Sequence, residues 1–597
     1  GRIRRRGEDS LILSSRAVRP IELSHPRQPS RPTMASPAVA PAASDDQHLA
    51  QLGHKQELRR HFSPLSMLGL AFAILNSWTA LSSSLSVALP SGGPTSVIWG
   101  LVTAGICNLC LAASLAEFLS SFPTAGGQYH WVAVISWKSW VPILSWIVGW
   151  INVFGWMALT ATAGSLGSTL IVDIIPLYHS NYEGQPWHQF LIYIGYQLVA
   201  MIINMFGNTA LPYINKGAIS WSIAGFAVVS ITVLACASPD YNSGEFVYRK
   251  FINDVGWPDG IAWLLGLLQG GFGLTGYDAT AHMIEEIPNA AIEGPKIMIY
   301  CVAIGTFTGF IFLTCLLFVA GSADEVINSP YGPLGQILYH ATGSKAGAVC
   351  LQIFPLVCLI FAAISIMTTS SRMTYAFARD GGLPFSRFFA RVHPKLDVPL
   401  ESIALTNLVV LIMGCIFLGS SSAFNAITSA SVVALGLSYG IPVAINCLRL
   451  RKMLPETRPF KLPNWFAWFA NLLGIAYTIL TTVLFVFPPE LPVTGTNMNY
   501  CIVAFGVVLI ISVIQWFVDG RRNYTGPRIE LDENVLTAMQ TLEDEKPSYS
   551  HQQPGLDGGV NDGTKRAGFS GEEKTQQRPS HRKVSSGDDG EISEKGS

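Results

Sequence analysis

Residues 266–278 read Gly-Leu-Leu-Gln-Gly-Gly-Phe-Gly-Leu-Thr-Gly-Tyr-Asp, inside an apolar segment that runs from 260 to 283. The five glycines within residues 266–276 make a weak helix, because each costs up to about 1 kcal/mol relative to alanine. At membrane depth, such backbone is tolerated only against protein or a water-filled cavity. An acid there, Asp278, is by default a functional candidate. We predict a broken membrane helix; the alternative is a glycine face for close packing, with Asp278 near the aqueous end.

The composition places this segment in a membrane protein. Of the 597 residues, 13% are charged and 49% hydrophobic, and the mean hydropathy is +0.36, whereas soluble domains carry roughly 25% charge. A span needs about 20 apolar residues. The sequence predicts an all-α polytopic protein with twelve spans, at 65–89, 97–121, 139–164, 187–206, 212–237, 260–283, 297–320, 346–370, 402–419, 424–446, 465–487 and 499–518.

Basic residues in the short loops and at the adjoining span ends set the expected orientation. An even number of spans puts both termini on one side, and a cytoplasmic N-terminus leaves only Arg249, Lys250 and Lys345 outside. We therefore expect both termini in the cytoplasm and the protein in the plasma membrane. The inner side then carries Lys138, Lys216, Lys296, Arg372, Arg379, Arg387, Arg391, Lys395, Arg449, Arg451, Lys452, Arg458 and Lys461.

The polar ends of the chain are predicted to be disordered cytoplasmic tails, 1–60 and 521–597, on either side of a twelve-span membrane domain at 61–520. Residues 1–33 precede the first methionine, Met34, and two interpretations stay open. They are either upstream sequence that does not belong to the native protein or an Arg- and Ser-rich transit peptide. Prolines together with Glu8 and Glu22 weigh against the amphipathic helix of a transit peptide.

The first span holds a second irregular stretch, Asn76-Ser77-Trp78-Thr79-Ala80-Leu81-Ser82-Ser83-Ser84. If the first ten spans form two repeats of five, spans 1 and 6 occupy corresponding positions. A pair of interrupted segments in corresponding positions is the best sequence indication of a transporter binding site. The alternative for span 1 is that serine and threonine hydroxyls bond back to an unbroken helix.

Three further stretches carry a resemblance to a known family. They are Glu117-Phe-Leu-Ser-Ser-Phe-Pro-Thr-Ala-Gly-Gly-Gln-Tyr129, Gly276-Tyr-Asp-Ala-Thr-Ala-His-Met-Ile-Glu-Glu-Ile-Pro-Asn289 and Ser370-Ser-Arg-Met-Thr-Tyr-Ala-Phe-Ala-Arg-Asp-Gly-Gly-Leu-Pro384. From about 62 to 520 the chain resembles the amino acid–polyamine–organocation permeases. It is most similar to the fungal branch with choline and γ-aminobutyrate permeases. The resemblance implies two inverted five-helix repeats plus two C-terminal helices, with substrate held between broken spans 1 and 6.

The resemblance also implies a set of substrate-binding residues. Phe272 would gate the substrate, and the unwound backbone after it would hold polar groups. Many relatives have Gly-Ser-Gly in span 1, where this chain has Trp78-Thr79-Ala80, so an α-carboxylate cradle is obstructed. Trp78, Phe272 and Tyr277 instead suggest an aromatic cage for an ammonium group; the alternative is that Trp78 packs between helices. The predicted binding residues are Asn76, Ser77, Trp78, Thr79, Ala80, Phe272, Gly273, Leu274, Thr275, Gly276 and Tyr277.

Transport would run on a gradient, because nothing resembles a nucleotide-binding loop. Protons are the expected coupling ion, and the candidate residues are Asp278, Lys216, Glu285, Glu286 and Glu117. Lys216 opens span 5, where some relatives place a basic group. The alternative is that Glu117, Glu285 and Glu286 pair with loop arginines such as Arg372 or Arg379.

Other classes fit the sequence less well. An enzyme would need clustered nucleophiles or metal ligands, whereas His282 stands alone and Cys107 and Cys110 have no second pair. We expect no cofactor, no metal and no nucleic-acid partner. The predicted function is proton-coupled import of a small amine or amino acid, such as choline or γ-aminobutyrate, across a lipid bilayer by alternating access. A nutrient receptor of the same fold is the alternative, and a channel is a weaker one.

Overall fold

A computed structural model describes Asp45, Leu49 and residues 60–419, 423–495 and 497–527 of the chain. The two predicted tails therefore lie almost wholly outside the described residues. Within these ranges the protein is helical, and the only β-structure is a pair of isolated bridges, Ser91 with Asn253 and His393 with Val398.

The helices follow one another along the chain with short connections. In chain order they are α1 Pro64–Leu75, α2 Ser77–Ser83, α3 Leu85–Ala88, α4 Gly93–Ser121, α5 Gln128–Ile135, α6 Val141–Tyr178, α7 Pro186–Phe206, α8 Leu211–Ala237, α9 Gly244–Arg249, α10 Asp259–Phe272, α11 Ala279–His282, α12 Ala290–Phe318, α13 Ala323–Ile327, α14 Gly332–Thr342, α15 Lys345–Arg379, α16 Ser386–Phe389, α17 Leu400–Gly414, α18 Ala423–Leu448, α19 Asn464–Leu484, α20 Cys501–Gln515 and α21 Arg521–Asn523. Short 3₁₀ turns lie at Asn208–Ala210, Ile284–Glu286 and Cys415–Leu418.

Ten helical segments of the described chain are long and apolar enough to cross a membrane, which confirms the all-α, multi-span class. Two predicted spans are shorter. The span at 260–283 is split into α10 and α11, and the span at 402–419 is α17 followed by a 3₁₀ turn. The count of twelve spans and the inverted repeat stay predictions.

The connections gather at two ends of the helix bundle. At one end, Phe62 N–H donates to the Glu286 carbonyl at 3.3 Å, and Ser145 is hydrogen-bonded to Tyr524 at 2.7 Å. We call this the charged end, because ion pairs of Glu117, Glu285 and Glu286 with arginines lie there. At the opposite end, Gly92 N–H donates to the Ile252 carbonyl, Asn242 N–H to Phe318 and Leu491 N–H to Val255, each at 2.8 Å.

Both predicted helix breaks are present. Asn76 separates α1 from α2 in the left-handed conformation (φ 40°, ψ 41°), which asparagine adopts more readily than other non-glycine residues. Between α10 and α11 the backbone leaves the helix at 273–278, where Gly276 has φ 99°. A side chain at Gly276 would be strained by this conformation and would collide with Ile74, 2.9 Å from its Cβ position.

The broken first span lies at the centre of the bundle. Of its most apolar stretch, within Pro64–Ser83, 89% of residues are buried, against 11% for Cys501–Asn523 at the periphery. Close packing elsewhere in the bundle also uses small residues, as at Gly149 on α6, where a Cβ would collide with the Phe377 ring. Packing also continues past the predicted domain boundary at 520, because Tyr524 is buried against Trp146 and Phe377.

Candidate functional site

The two helix breaks enclose a small cavity of about 20 Å³. On this measure of volume it holds about one water molecule. Its walls come from both broken spans and from α6 and α15, and they are apolar except for one amide. The lining residues are Ile74, Leu75, Asn76, Ala80, Leu159, Ala163, Leu166, Phe272, Leu359, Ala362 and Ile366.

Asn76 is the polar residue of this wall. It is 2% exposed, and its Nδ2 has no hydrogen-bond partner within the described chain. A buried amide donor without an acceptor costs roughly 1–3 kcal/mol. The break in span 1 therefore leaves a donor available to a ligand that brings an oxygen acceptor into the cavity.

Of the eleven predicted binding residues, Asn76, Ala80 and Phe272 line the cavity. The others are buried around it and serve the packing of the two breaks: Thr275 Oγ1 donates to the Gly271 carbonyl at 2.6 Å, and Gly276 N–H donates to the Tyr439 hydroxyl at 3.3 Å. Those outside the lining are Ser77, Trp78, Thr79, Gly273, Leu274, Thr275, Gly276 and Tyr277.

The three aromatic residues of the predicted cage are not brought together. Trp78 is fully buried, its Nε1–H donates to Ser222 Oγ at 2.8 Å, and its ring meets Phe312 edge-on at 4.8 Å. The Tyr277 ring lies 4.8 Å from that of Tyr439. In this conformation Trp78 packs between helices, which was the alternative interpretation, and only Phe272 reaches the cavity.

Asp278 lies directly beyond the break of span 6 and is fully buried. Its Oδ2 accepts from Gln128 Nε2 at 2.7 Å and from Trp156 Nε1 at 3.2 Å. Its Oδ1 accepts from the Tyr439 hydroxyl at 2.6 Å. Asp278 is therefore not near an aqueous end, as the alternative interpretation had it, but is held by donors from three other segments.

His282 is the residue that the sequence analysis misjudged. It does not stand alone, because its Nε2 lies 3.1 Å from Asp278 Oδ2 and its Nδ1 lies 2.9 Å from the Ala125 carbonyl oxygen. Asn152 Nδ2 lies 3.4 Å from the same Nε2. The Asp278–His282 spacing of four residues could have indicated this pair, since such residues share a helix face.

The structure thus contains two helix breaks around a cavity, with a buried acid beside them. The profile of the amino acid permease family matches residues 65–510 of this chain. The chain belongs to the amino acid permease family.

Curated relatives agree with this assignment. The permease is 37% identical over 440 residues to a protein of Macrophomina phaseolina provisionally named an amino acid/polyamine transporter, covering 73% of this chain and 96% of that one. It is 31% identical to the choline transporter of Saccharomyces cerevisiae over 497 residues, covering 83% and 85%. It is 30% identical to amino-acid permease BAT1 of Arabidopsis thaliana over 498 residues, covering 80% and 95%. The predicted family is confirmed, and the chain is a transporter rather than an enzyme.

Three of the predicted coupling acids are held in ion pairs at the charged end of the permease. Glu117 accepts from Arg451 at 2.6 Å and from Arg458 at 2.8 Å, so its partners are not Arg372 or Arg379 as the sequence analysis suggested. The other two pairs, Glu285 with Arg379 and Glu286 with Arg372, both have N–O distances of 3.1 Å. Burial raises the pKa of Glu286, and the neighbouring Arg372 partly offsets that rise.

Lys216 does not join the site. Its side chain is exposed, with Nζ 5.9 Å from the centre of the Tyr213 ring. The buried neighbour is Asn215, whose Oδ1 accepts from Ser365 at 3.1 Å. Span 5 of this permease therefore presents an amide, not the predicted basic group, towards the interior.

A wider space opens at the opposite end of the permease. It has a volume of about 460 Å³ and reaches Leu265 and Leu268 on α10. Further along α10, Gln269 Nε2 donates to the Leu81 carbonyl at 2.6 Å, which ties α10 to α2. Among the described residues no group of histidines, cysteines and acids could hold a metal ion.

Proposed function

We propose that the permease imports a small amine or amino acid, of the choline or γ-aminobutyrate type, across the plasma membrane by proton-coupled alternating access. The observation that carries this proposal is the cavity between the two helix breaks. It combines an apolar wall, the Phe272 ring and the unpartnered Nδ2 of Asn76.

The chemistry of this cavity suits a substrate with one charged amine, several methylene or methyl groups and one oxygen acceptor. Apolar walls accept the carbon groups, and the Phe272 face attracts an ammonium by about 0.5–2 kcal/mol. Asn76 Nδ2 donates to an oxygen, either the carboxylate of γ-aminobutyrate or the hydroxyl of choline. A carboxylate is the better acceptor, because hydrogen bonds to charged groups contribute about 1.5–3 kcal/mol.

Alternating access is supported by the unequal closure of the two ends. The space of about 460 Å³ at the opposite end reaches α10, directly before the break. A space of about 1080 Å³ at the charged end is lined by residues within 378–391 and 515–526 and reaches neither break, and buried ion pairs hold that end together. The cavity of about 20 Å³ is too small for either substrate, so loading requires α1, α2 and α10 to separate. Thirteen basic residues against three support a cytoplasmic charged end.

Proton coupling is supported by Asp278. Glu117, Glu285 and Glu286 each form an ion pair with an arginine that helps to close the charged end. Asp278 has no lysine or arginine in its ion pair among the described residues, and it lies beside the unwound stretch. An acid with these surroundings can change its protonation as the helices move.

The names of the relatives support both substrate types, a choline transporter and amino-acid permeases. They also make the receptor alternative the weaker proposal, since the relatives at 30% identity or more whose names state a function are named as transporters or permeases.

Asn76→Ala tests the proposed site. We expect the KM for γ-aminobutyrate uptake to rise about tenfold, because one hydrogen bond to its charged oxygen is lost, and the KM for choline uptake to rise less, because its hydroxyl is a neutral acceptor. Labelled choline and labelled γ-aminobutyrate are measured separately in cells that lack their own carriers. The matched control is Asn446→Ala, another buried amide without a partner, which lies outside the cavity. An equal rise in both variants, or no rise in Asn76→Ala, contradicts the proposed site.

A further inference from the structure

The close contact between the Asp278 carboxylate and the His282 ring is favourable only when this pair holds one extra proton. The Ala125 carbonyl can only accept, so the imidazole nitrogen 2.9 Å from it, Nδ1, carries a hydrogen. That leaves His282 Nε2 and Asp278 Oδ2 facing each other at 3.1 Å. With neither protonated, two lone pairs would oppose each other, so a proton on one of them is required.

The hydrogen-bond donors around the Asp278 carboxylate support the presence of this extra proton. An indole N–H can only donate, so Trp156 marks Oδ2 as an acceptor. Gly276 N–H donates to the Tyr439 oxygen, which directs the Tyr439 hydroxyl hydrogen to Asp278 Oδ1. Asn152 Nδ2, which can also only donate, lies 3.4 Å from Nε2 and marks that nitrogen as an acceptor too. The extra proton therefore lies between Oδ2 and Nε2, and it belongs to the coupled pair rather than to either residue.

Neither Asp278 nor His282 forms an ion pair with a lysine or arginine in the described part of the chain. The titratable groups on the surrounding elements are the hydroxyls of Tyr277 and Tyr439, the Cys301 thiol and the His130 ring; the nearby Glu285 and Glu286 are paired with Arg379 and Arg372. With its proton, the Asp278–His282 pair is neutral overall. Without it, the pair carries one buried negative charge that no buried cation among the described residues balances, which is unfavourable.

The Asp278–His282 pair is also linked by hydrogen bonds towards the cavity on one side and towards the charged end on the other. On one side, Tyr439 joins Asp278 to the backbone of Gly276, whose Cβ position lies against the cavity residues Ile74 and Leu159. On the other side, Ala125 accepts from His282 and its own N–H donates to Glu285 Oε1 at 3.0 Å, within the ion pair with Arg379. A movement of His282 therefore changes the position of Ala125 and its hydrogen bond to Glu285 at the charged end.

We propose that Asp278 and His282 together are the proton site of the permease, loaded in the conformation described here. This deepens the proposed function and depends on its proton coupling. The proton is taken from water at the opposite end and held between Oδ2 and Nε2. Its release to water at the charged end leaves a carboxylate facing a lone pair. The resulting repulsion separates α11 from Ala125 and loosens the closure at Glu285.

The test uses the purified full chain in vesicles that contain a trapped pH dye, with choline and γ-aminobutyrate as substrates. In the wild type we expect one proton per substrate molecule. In Asp278→Asn and in His282→Gln the ratio falls towards zero while exchange of labelled substrate at equal pH stays measurable. The double variant loses no more than either single variant, because the two residues hold the same proton. Asp173→Asn, an acid of α6 outside this network, keeps the wild-type ratio.

A second readout does not need transport. Acid-induced infrared difference spectra of the substrate-free protein should contain a band of the protonated pair. The band is lost in both single variants and kept in Asp173→Asn. If the wild type couples protons and both variants keep its ratio and its band, the pair is not the site. If the wild type carries substrate without moving protons, the proposed coupling itself fails, whatever the spectra of the variants.

Discussion

Replacing Glu117 with glutamine should lower the free energy of unfolding by about 3–5 kcal/mol, the usual cost of removing one partner of a buried ion pair. The carboxylate receives Arg451, Arg458 and the Leu462 N–H, and the two arginine side chains are only 6% and 5% exposed. A neutral amide leaves both guanidinium groups buried without their counter-charge. The measurement is thermal unfolding of the detergent-solubilised permease.

Glu293→Gln is the matched control for Glu117→Gln. Glu293 makes the same type of contact with Lys296 at 3.0 Å, but the two side chains are 27% and 47% exposed. Exposed pairs contribute about 0–1 kcal/mol, so this variant should unfold close to the wild-type temperature. Equal shifts in the two variants would mean that the Glu117 cluster is solvated and does not hold the charged end together.

Trp78→Gly should destabilise the permease by about 3–5 kcal/mol or more, as for large-to-small changes of buried tryptophan. The indole fills the space between α2, Gly225 and Phe312, and glycine also weakens the short helix α2. We expect little folded protein in the membrane, measured by size-exclusion chromatography of the solubilised chain.

Trp78→Phe separates packing from substrate binding. It keeps a ring against Phe312 but removes the hydrogen bond to Ser222 and the part of the indole that lies against Gly225, a loss of about 1–3 kcal/mol. Uptake per folded molecule should then keep the wild-type KM for choline. A higher KM for choline with an unchanged unfolding temperature would restore the aromatic cage and would place Trp78 at the substrate in another conformation.

The sequence could predict both helix breaks because their causes are local. Gly276 has a backbone that other residues avoid, and Asn76 adopts a left-handed conformation. The direction in which a side chain points, by contrast, depends on residues that are distant in the sequence. Nothing in the order of residues shows that Trp78 points to Ser222 while Asn76 and Phe272 line the cavity.

The partners of the acids were harder to predict for a similar reason. Glu285 and Arg379 both lie in recognised motifs, and that pair was anticipated. Glu117 is paired with arginines more than 330 residues away in sequence. The proton pair combines a local signal, the spacing of Asp278 and His282, with the remote donors Gln128, Trp156 and Tyr439. The sequence contains only the local signal, the four-residue spacing, and does not show which distant donors surround the pair.

Accumulation of labelled substrate in vesicles containing the purified full chain tests the central claim most directly. With an inside-alkaline pH gradient we expect choline or γ-aminobutyrate to rise above its external concentration. We expect a protonophore to abolish this accumulation. Binding of either compound without accumulation, or accumulation that ignores the pH gradient, would contradict a proton-coupled permease with its substrate between the two helix breaks.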